Sequence, residues 1–299
     1  MIVVPALHPA HDIVIRVDDL SLGAVHRVNS DAVFTGAGGK AVNVALAIAA
    51  MAVPVRLLVL GDTPLLAALE TLATERTSLE LVAFPSPVPT RTDIALVDRD
   101  GRLTVINSTA PAPGASVPDE VVAAAVDGLR DGDVVVLAGS TPDGTGEAHV
   151  AIAREAAGRG GRVIVDASGP DLATLLATRP EAVKVSAAEA ADQDPATLAA
   201  IPLRAITDGR SGLRAWLPGG RAVRVVPPPD VTVVASLGAG DAVTAGLAIT
   251  LARGDDPLDG FILGTAMAAS TLDHLGPSVD PAAVDRLVRD VRVLPLGNA

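Results

Sequence analysis

The stretch SLGAGDAVTAG, Ser236–Gly246, decides how this chain is read. Bare backbone N–H groups at Gly238-Ala239-Gly240 are suited to cradle an anion. The apolar run DVTVVA precedes them and an alanine-rich helical pattern follows. Strand, glycine turn and helix in that order form an anion site. Yet the next residue, Asp241, is itself an anion. As a first-turn acid it would merely suit the helix dipole. Beside a bound phosphate it is tolerable if it faces a second group, a hydroxyl attacking that phosphate. Asp241 then takes the hydroxyl proton while the glycine N–H groups neutralise the charge developing on the phosphate.

The rest of the chain supplies a scaffold for such a site. Short β-branched runs alternate with helical stretches: MIVVPAL, then KAVNVALAIAAMA, VRLLVLGD, PLLAALETLATE, DVVVLAG, EAHVAIAREAAG, RVIVDAS, DLATLLAT, AVKVS and RAIT. This pattern predicts an α/β fold with a mostly parallel sheet covered on both faces. Two regions, at about 12–35 and 92–107, instead alternate apolar with polar residues and carry turn signals such as Asp100-Gly101. They predict half-exposed antiparallel strands that pair into a small lid over a cleft. GLRAWLPGGRAVRVV predicts a further hairpin, and the region from Gly240 to about Asp290 is expected to be largely helical. One core domain spanning 1–299, with an inserted lid, is the expected organisation.

Composition narrows the function. The chain of 299 residues is 49% hydrophobic, enough for a sizeable core, and has no cysteine, which excludes disulfides, zinc–thiolate sites and thiol catalysis. A net charge of −12 argues against nucleic-acid binding. No apolar run reaches membrane-spanning length, and the opening MIVVPALHPAHD is apolar over too few residues for a signal peptide. A cytoplasmic protein is expected. Of 23 basic residues only Lys40 and Lys184 are lysines. A retained lysine marks a place where a compact ammonium differs from a planar guanidinium.

The second glycine loop, FTGAGGKAVNVA, lacks the first glycine and the Ser/Thr of a Walker A loop. Gly36, Gly38 and Ala41 fit a dinucleotide fingerprint, with Asp62 about 20 residues on. The short, polar strand SDAVF before it disfavours that reading. Lys40 and Asn43 at the start of an apolar helix suit a polyhydroxy or phosphorylated ligand instead.

Eight segments in order resemble those of the ribokinase-like sugar kinases, the phosphofructokinase-B family, in its 1-phosphofructokinase and tagatose-6-phosphate kinase branch. They are HPAHD, GGKAVNVA, PTRTDIAL, AGSTPDG, VDASG, KVSAAE, ITDGRSGL and SLGAGDAVTAG. The resemblance implies a three-layer α/β/α core with a small antiparallel β lid, and an ATP-dependent sugar kinase using Mg²⁺. It implies Asp241 as catalytic base and Gly238, Ala239 and Gly240 as anion hole. Asp12, Gly38, Gly39, Lys40, Asn43 and Ser140 would bind the sugar. Arg91 would hold a phosphate already on the substrate, a task for a bidentate guanidinium; otherwise it is a solvated lid arginine. Lys184, Ser186, Thr207, Gly209 and Gly212 would border ATP. Asp166 and Glu189 would place Mg²⁺ through water. His8, Ala41, Val185 and Ser186 depart from the branch, which has Asn, Gly, Pro and Asn there. His11, His26, His149 and His274 are not spaced as ligands. A ketohexose phosphate is the expected substrate, with an unphosphorylated sugar or nucleoside as the alternative. A non-catalytic sugar- or nucleotide-binding protein on the same fold is a second reading. Members of the family often dimerise through the lid, which implies a homodimer.

Overall fold

The computed structural model describes residues 1–86, 88–108 and 116–296. The first half contains β1 (Ile2–Ala6), β2 (Ala10–Arg16), β3 (Val33–Gly38), α1 (Lys40–Ala50), β4 (Val55–Gly61), α2 (Thr63–Glu75), β5 (Leu79–Pro85), β6 (Arg91–Val97), β7 (Leu103–Asn107), α3 (Asp119–Val126), β8 (Val134–Gly139) and α4 (Glu147–Gly158). After it come β9 (Arg162–Ala167), α5 (Gly169–Leu176), β10 (Ala182–Ser186), α6 (Ala187–Ala191), α7 (Pro195–Ala199), β11 (Leu203–Thr207), β12 (Leu213–Trp216), β13 (Ala222–Val226), α8 (Ala239–Arg253), α9 (Pro257–Thr271), α10 (Pro281–Leu287) and β14 (Arg292–Pro295).

The main sheet has the order β14-β13-β12-β11-β10-β9-β8-β1-β4-β5. From β11 to β5 every pairing is parallel, and β12, β13 and β14 add an antiparallel edge. The parallel strands are buried on both faces, which is why they read as unbroken apolar runs. Helices α1, α2, α8 and α9 cover one face through a cluster including Ile48, Leu57, Leu69 and Phe261. Helices α3, α4, α5 and α7 cover the other through Leu58, Leu137, Ile152 and Leu172. This is the expected three-layer α/β/α core.

The two insertions form one four-stranded sheet, β3-β2-β6-β7. Each contributes an antiparallel pair, and the two pairs join along a parallel β2–β6 seam that sets Asp12 beside Asp93. One face carries Val14, Ala95, Val97 and Phe34, which pack on Ala235 and Leu237 just ahead of α8 and on Leu275 after α9. The lid is therefore docked beside the glycine turn.

Three local expectations change. Ala24–Ala32, read as strand, is loop ending in a short 3₁₀ helix at Ser30–Ala32, and only Val33 onward pairs. Val25 there is 79% exposed, so the apolar alternation of this segment meets no neighbouring strand. The run before Ser236 is not a strand either. Its Val234 and Ala235 N–H groups bond to the Leu272 carbonyl, and Ala235 fills the lid contact. The dinucleotide reading of Gly36 and Gly38 also falls. Both lie in the lid strand β3, and Asp62 caps α2, accepting from the Leu65 and Thr90 N–H groups.

Helices α8 and α9 meet through glycine. A Cβ on Gly246 would lie 2.4 Å from the Gly264 backbone, and one on Gly264 would lie 2.6 Å from the Val243 carbonyl oxygen. Backbone cannot yield as a side-chain tip can. Gly246→Ala is expected to cost about 1–3 kcal/mol, the usual penalty of overpacking. It would be read as a lower urea midpoint at unchanged slope. An unchanged midpoint would show that the two helices part easily.

Candidate active site

The carboxyl ends of the parallel strands carry most of the polar residues singled out above, where ligands bind in open α/β sheets. Ser140 follows β8, Asp166 lies near the end of β9, and Lys184 and Ser186 lie in β10. The β10–β11 register sets Ser186 beside Thr207. Gly209 and Gly212 shape the turn into β12. At Gly212, with φ +83°, a Cβ would meet the Val225 carbonyl oxygen at 2.1 Å, so only glycine fits.

Asp166 is the centre. Its side chain is wholly buried. Oδ2 takes Lys184 Nζ at 2.7 Å and the Thr244 hydroxyl at 2.6 Å, while Oδ1 takes Lys40 Nζ at 3.1 Å. The two lysines of the chain thus end on one carboxylate. Burial pushes the Asp166 carboxyl up, but the two ammonium charges outweigh it and hold the group below its usual range. Lys40 also donates to Glu189 Oε1 at 2.8 Å. Burial opposes the Lys40 charge, and the two carboxylates reverse this, so the ammonium is held protonated. Glu189 closes a capping box at α6: its Oε2 accepts from the Ser186 N–H, and its own N–H donates to Ser186 Oγ. The serine that replaces the branch's asparagine is thus a helix cap.

Helix α8 begins at the glycine turn. Gly238, at φ +76°, is the N-cap residue, and a Cβ there would strike Pro277 at 2.4 Å. Ala239 and Gly240 open the helix, where the first N–H groups have no helical carbonyl to meet. A Cβ on Gly240 would lie 3.3 Å from Lys184 Nζ, so this ammonium borders the turn. Asp241 sits in the first turn, buried, and accepts from Asn43 Nδ2 at 2.9 Å. Burial and the charge of Asp166 raise its pKa to about 6, against the pull of Lys184 and Lys40.

Asp12, Gly38 and Gly39 meet beside it. A Cβ on Gly38 would fall 1.9 Å from Asp12 Oδ2, so a bare glycine makes room for the carboxylate. Burial first and then Asp93 raise the Asp12 pKa to about 7, with Arg91 opposing. Arg91 is not a solvated lid residue. Its side chain is 14% exposed, its Nη1 pairs with Asp93 and its Nε donates to the His8 carbonyl at 3.3 Å. His8 Nδ1 lies 3.0 Å from Ser140 Oγ. Burial and nearby Arg91 lower the His8 pKa to about 4, leaving it neutral. His11 pairs with Asp62, and His149 is buried in α4.

Two residues escaped the sequence reading. Asp93 lies two residues after Arg91 on the same strand face, a period-2 signal that could have found it. Thr244, one turn after Asp241 on an apolar helix, was a similar clue. Among the described residues no group of three acidic or histidine side chains is placed to hold a metal. The oxygens of Asp166 and Glu189 are engaged by Lys40, Lys184, Thr244 and Ser186 N–H. Such carboxylates fit an ion reached through water, not one ligated directly.

The sequence profile of the pfkB family carbohydrate kinases matches residues 10–283. This chain belongs to that family. It is 33% identical over 314 aligned positions to a 1-phosphofructokinase of Rhodobacter capsulatus, covering 97% of each chain. It is 26% identical to a 1-phosphofructokinase of Bacillus subtilis, covering 99% of this chain and all of that one. The fold matches that of a possible 1-phosphofructokinase from Thermotoga maritima, with a TM-score of 0.81 at 19% identity over 99% of both chains. Escherichia coli phosphofructokinase-2 gives 0.80 at 20% identity, over 96% and 98%. This pfkB kinase is a phosphotransferase acting on a sugar hydroxyl, and kinases of the family use ATP with Mg²⁺.

Asp12 makes a pH test of this geometry. The folded protein keeps the Asp12 proton up to about pH 7, whereas an unfolded aspartate loses it near 3.8. The stability linked to that proton is present in acid and is lost as pH rises through 7. Asp12→Asn, neutral throughout, is expected to flatten the fall between pH 4 and 7 in urea titrations. An equally steep fall in the variant would remove Asp12 as its source.

Proposed function

We propose that this kinase transfers the γ-phosphate of ATP to a primary hydroxyl of a ketohexose phosphate, of the fructose 1-phosphate or tagatose 6-phosphate type, with Asp241 as general base. One observation carries the reading: a buried carboxylate with its pKa raised to about 6 stands at the first turn of a helix entered through glycine. It is near enough to neutrality to accept a proton and is ionised at pH 7.

The acceptor oxygen attacks the γ-phosphorus and gives its proton to Asp241. The bond from that phosphorus to the bridging oxygen breaks, and ADP leaves. Asn43 holds the Asp241 carboxylate in place. Asp12 and Ser140 take acceptor hydroxyls, and Gly38 and Gly39 give them room. N–H groups of the Gly238-Ala239-Gly240 turn and the Lys184 charge receive the phosphate. Ser186, Thr207, Gly209 and Gly212 border the nucleotide. Asp166 and Glu189 would hold Mg²⁺ through water, and the ion would supply positive charge for the phosphate oxygens. The docked lid excludes water that would otherwise hydrolyse ATP. Relatives named 1-phosphofructokinase favour a phosphorylated acceptor, with Arg91 on its phosphate. The Asp93 claim on Arg91 favours a second reading, an unphosphorylated sugar.

We take 1–299 as one kinase unit working in the cytoplasm. No described helix is long and apolar enough to cross a membrane. We also propose a homodimer through the lid, where Leu22, Val25, Val105 and Ile106 are exposed.

Turnover of a panel of sugars and sugar phosphates tests the reaction. Asp241→Asn is expected to lower kcat by about 10²–10⁴, the usual worth of general-base catalysis. Activity untouched by that change would remove the mechanism. The acid limb of kcat/KM should fall as pH drops toward 6, because the base must be ionised. Asp12, with a pKa near 7, titrates close by, so the limb reports the pair. Arg91→Ala is expected to raise KM for phosphorylated acceptors alone. An unchanged KM would move the reading to the unphosphorylated class. Sedimentation of the wild type against Leu22→Asp/Val25→Asp tests the dimer, which the charges should split. A wild-type monomer would refute it.

A further inference from the structure

We infer that Lys40 is a ligand of the phosphoryl group in transfer, not of the acceptor sugar. This rests on the kinase reading above and reassigns one of its residues. The side chain starts at the acceptor end, at the head of α1, and its ammonium ends at the nucleotide end, between Asp166 and Glu189. It therefore crosses the cleft between the two substrates.

The donor count shows what remains. An ammonium has three N–H donors and no acceptor. Two are spent on Asp166 Oδ1 and Glu189 Oε1. Lys184, the other cation on Asp166, is 4% exposed and borders the glycine turn, whereas Lys40 keeps 28% of its side chain exposed. Lys40 thus has a donor left, on a side chain that is only partly buried. Its charge is fixed by its partners. A cation held between two carboxylates, with one donor free, suits an oxygen of a group that is anionic on both sides of the reaction.

The same placement explains the carboxylates. With Lys40 between them, Asp166 and Glu189 hold an ammonium directly and are left to reach a metal only through water. A compact ammonium and a planar guanidinium fork present their donors differently to such a pair of carboxylates. The lysine in an arginine-rich chain then has a physical reason.

Equilibrium binding of nucleotides without acceptor tests this. Calorimetry would compare wild type with Lys40→Met for a non-hydrolysable ATP analogue and for ADP, each with Mg²⁺. The variant is expected to lose about tenfold or more in affinity for the ATP analogue, the scale of one hydrogen bond to a charged group. ADP affinity should stay within about threefold. In steady-state assays kcat should fall while acceptor KM holds. Equal losses for both nucleotides, or a raised acceptor KM with nucleotide affinities unchanged, would overturn the assignment. Lys40→Gln, which can still donate to one carboxylate, carries the test if Lys40→Met does not fold. Because the binding arm contains no sugar, its outcome is separate from any failure of the proposed acceptor.

Discussion

The ion cluster on Asp166 holds the site together. A carboxylate taken wholly out of water is costly unless it is paired and fully hydrogen-bonded. Here Lys184 from the neighbouring strand, Lys40 from α1 and Thr244 from α8 meet that need, and Lys40 extends the link to Glu189 on α6. Removing one partner of such a buried pair typically costs about 3–5 kcal/mol, because an uncompensated charge is left behind. One side chain therefore fixes the relative positions of two strands and three helices. Those elements carry Asn43, the glycine turn and Ser186.

The cluster also sets the chemistry of its neighbour. Asp241 lies near a second buried carboxylate, and that charge adds to burial in raising its pKa. Two ammonium groups restrain the rise and hold the Asp241 pKa to about 6. Asp12 is governed by the same balance in the lid, where Asp93 raises its pKa and Arg91 lowers it. Both acids are raised first by burial and then by like charges, Asp241 restrained by two lysines and Asp12 by Arg91.

Glycine governs how closely these groups approach. Gly38 leaves space for Asp12, Gly238 turns against Pro277, and Gly246 and Gly264 let α8 and α9 touch. Each position is forced by a neighbouring backbone or carboxylate. The lid completes the cleft by packing Val14, Ala95 and Phe34 on the segment leading into α8.

Much of the fold was legible because it rests on local periodicity. Buried parallel strands are apolar throughout, and helices α2 and α4 fall where their patterns ended. The segment Ala24–Ala32 misled because alternation alone does not supply a partner strand. Val231–Ala235 misled because its apolar residues serve the lid contact. Asp241, Lys40 and Lys184 stood out as residue types misplaced for their surroundings. By itself the sequence determined the layered α/β plan, the glycine turn and the anomalous acid after it, since propensity and pattern act over a few residues. Only the tertiary structure decided that both lysines meet Asp166, that Ser186 is a cap and that Asp93 claims Arg91. Those are long-range pairings whose strength depends on burial, and burial exists only once the chain has folded.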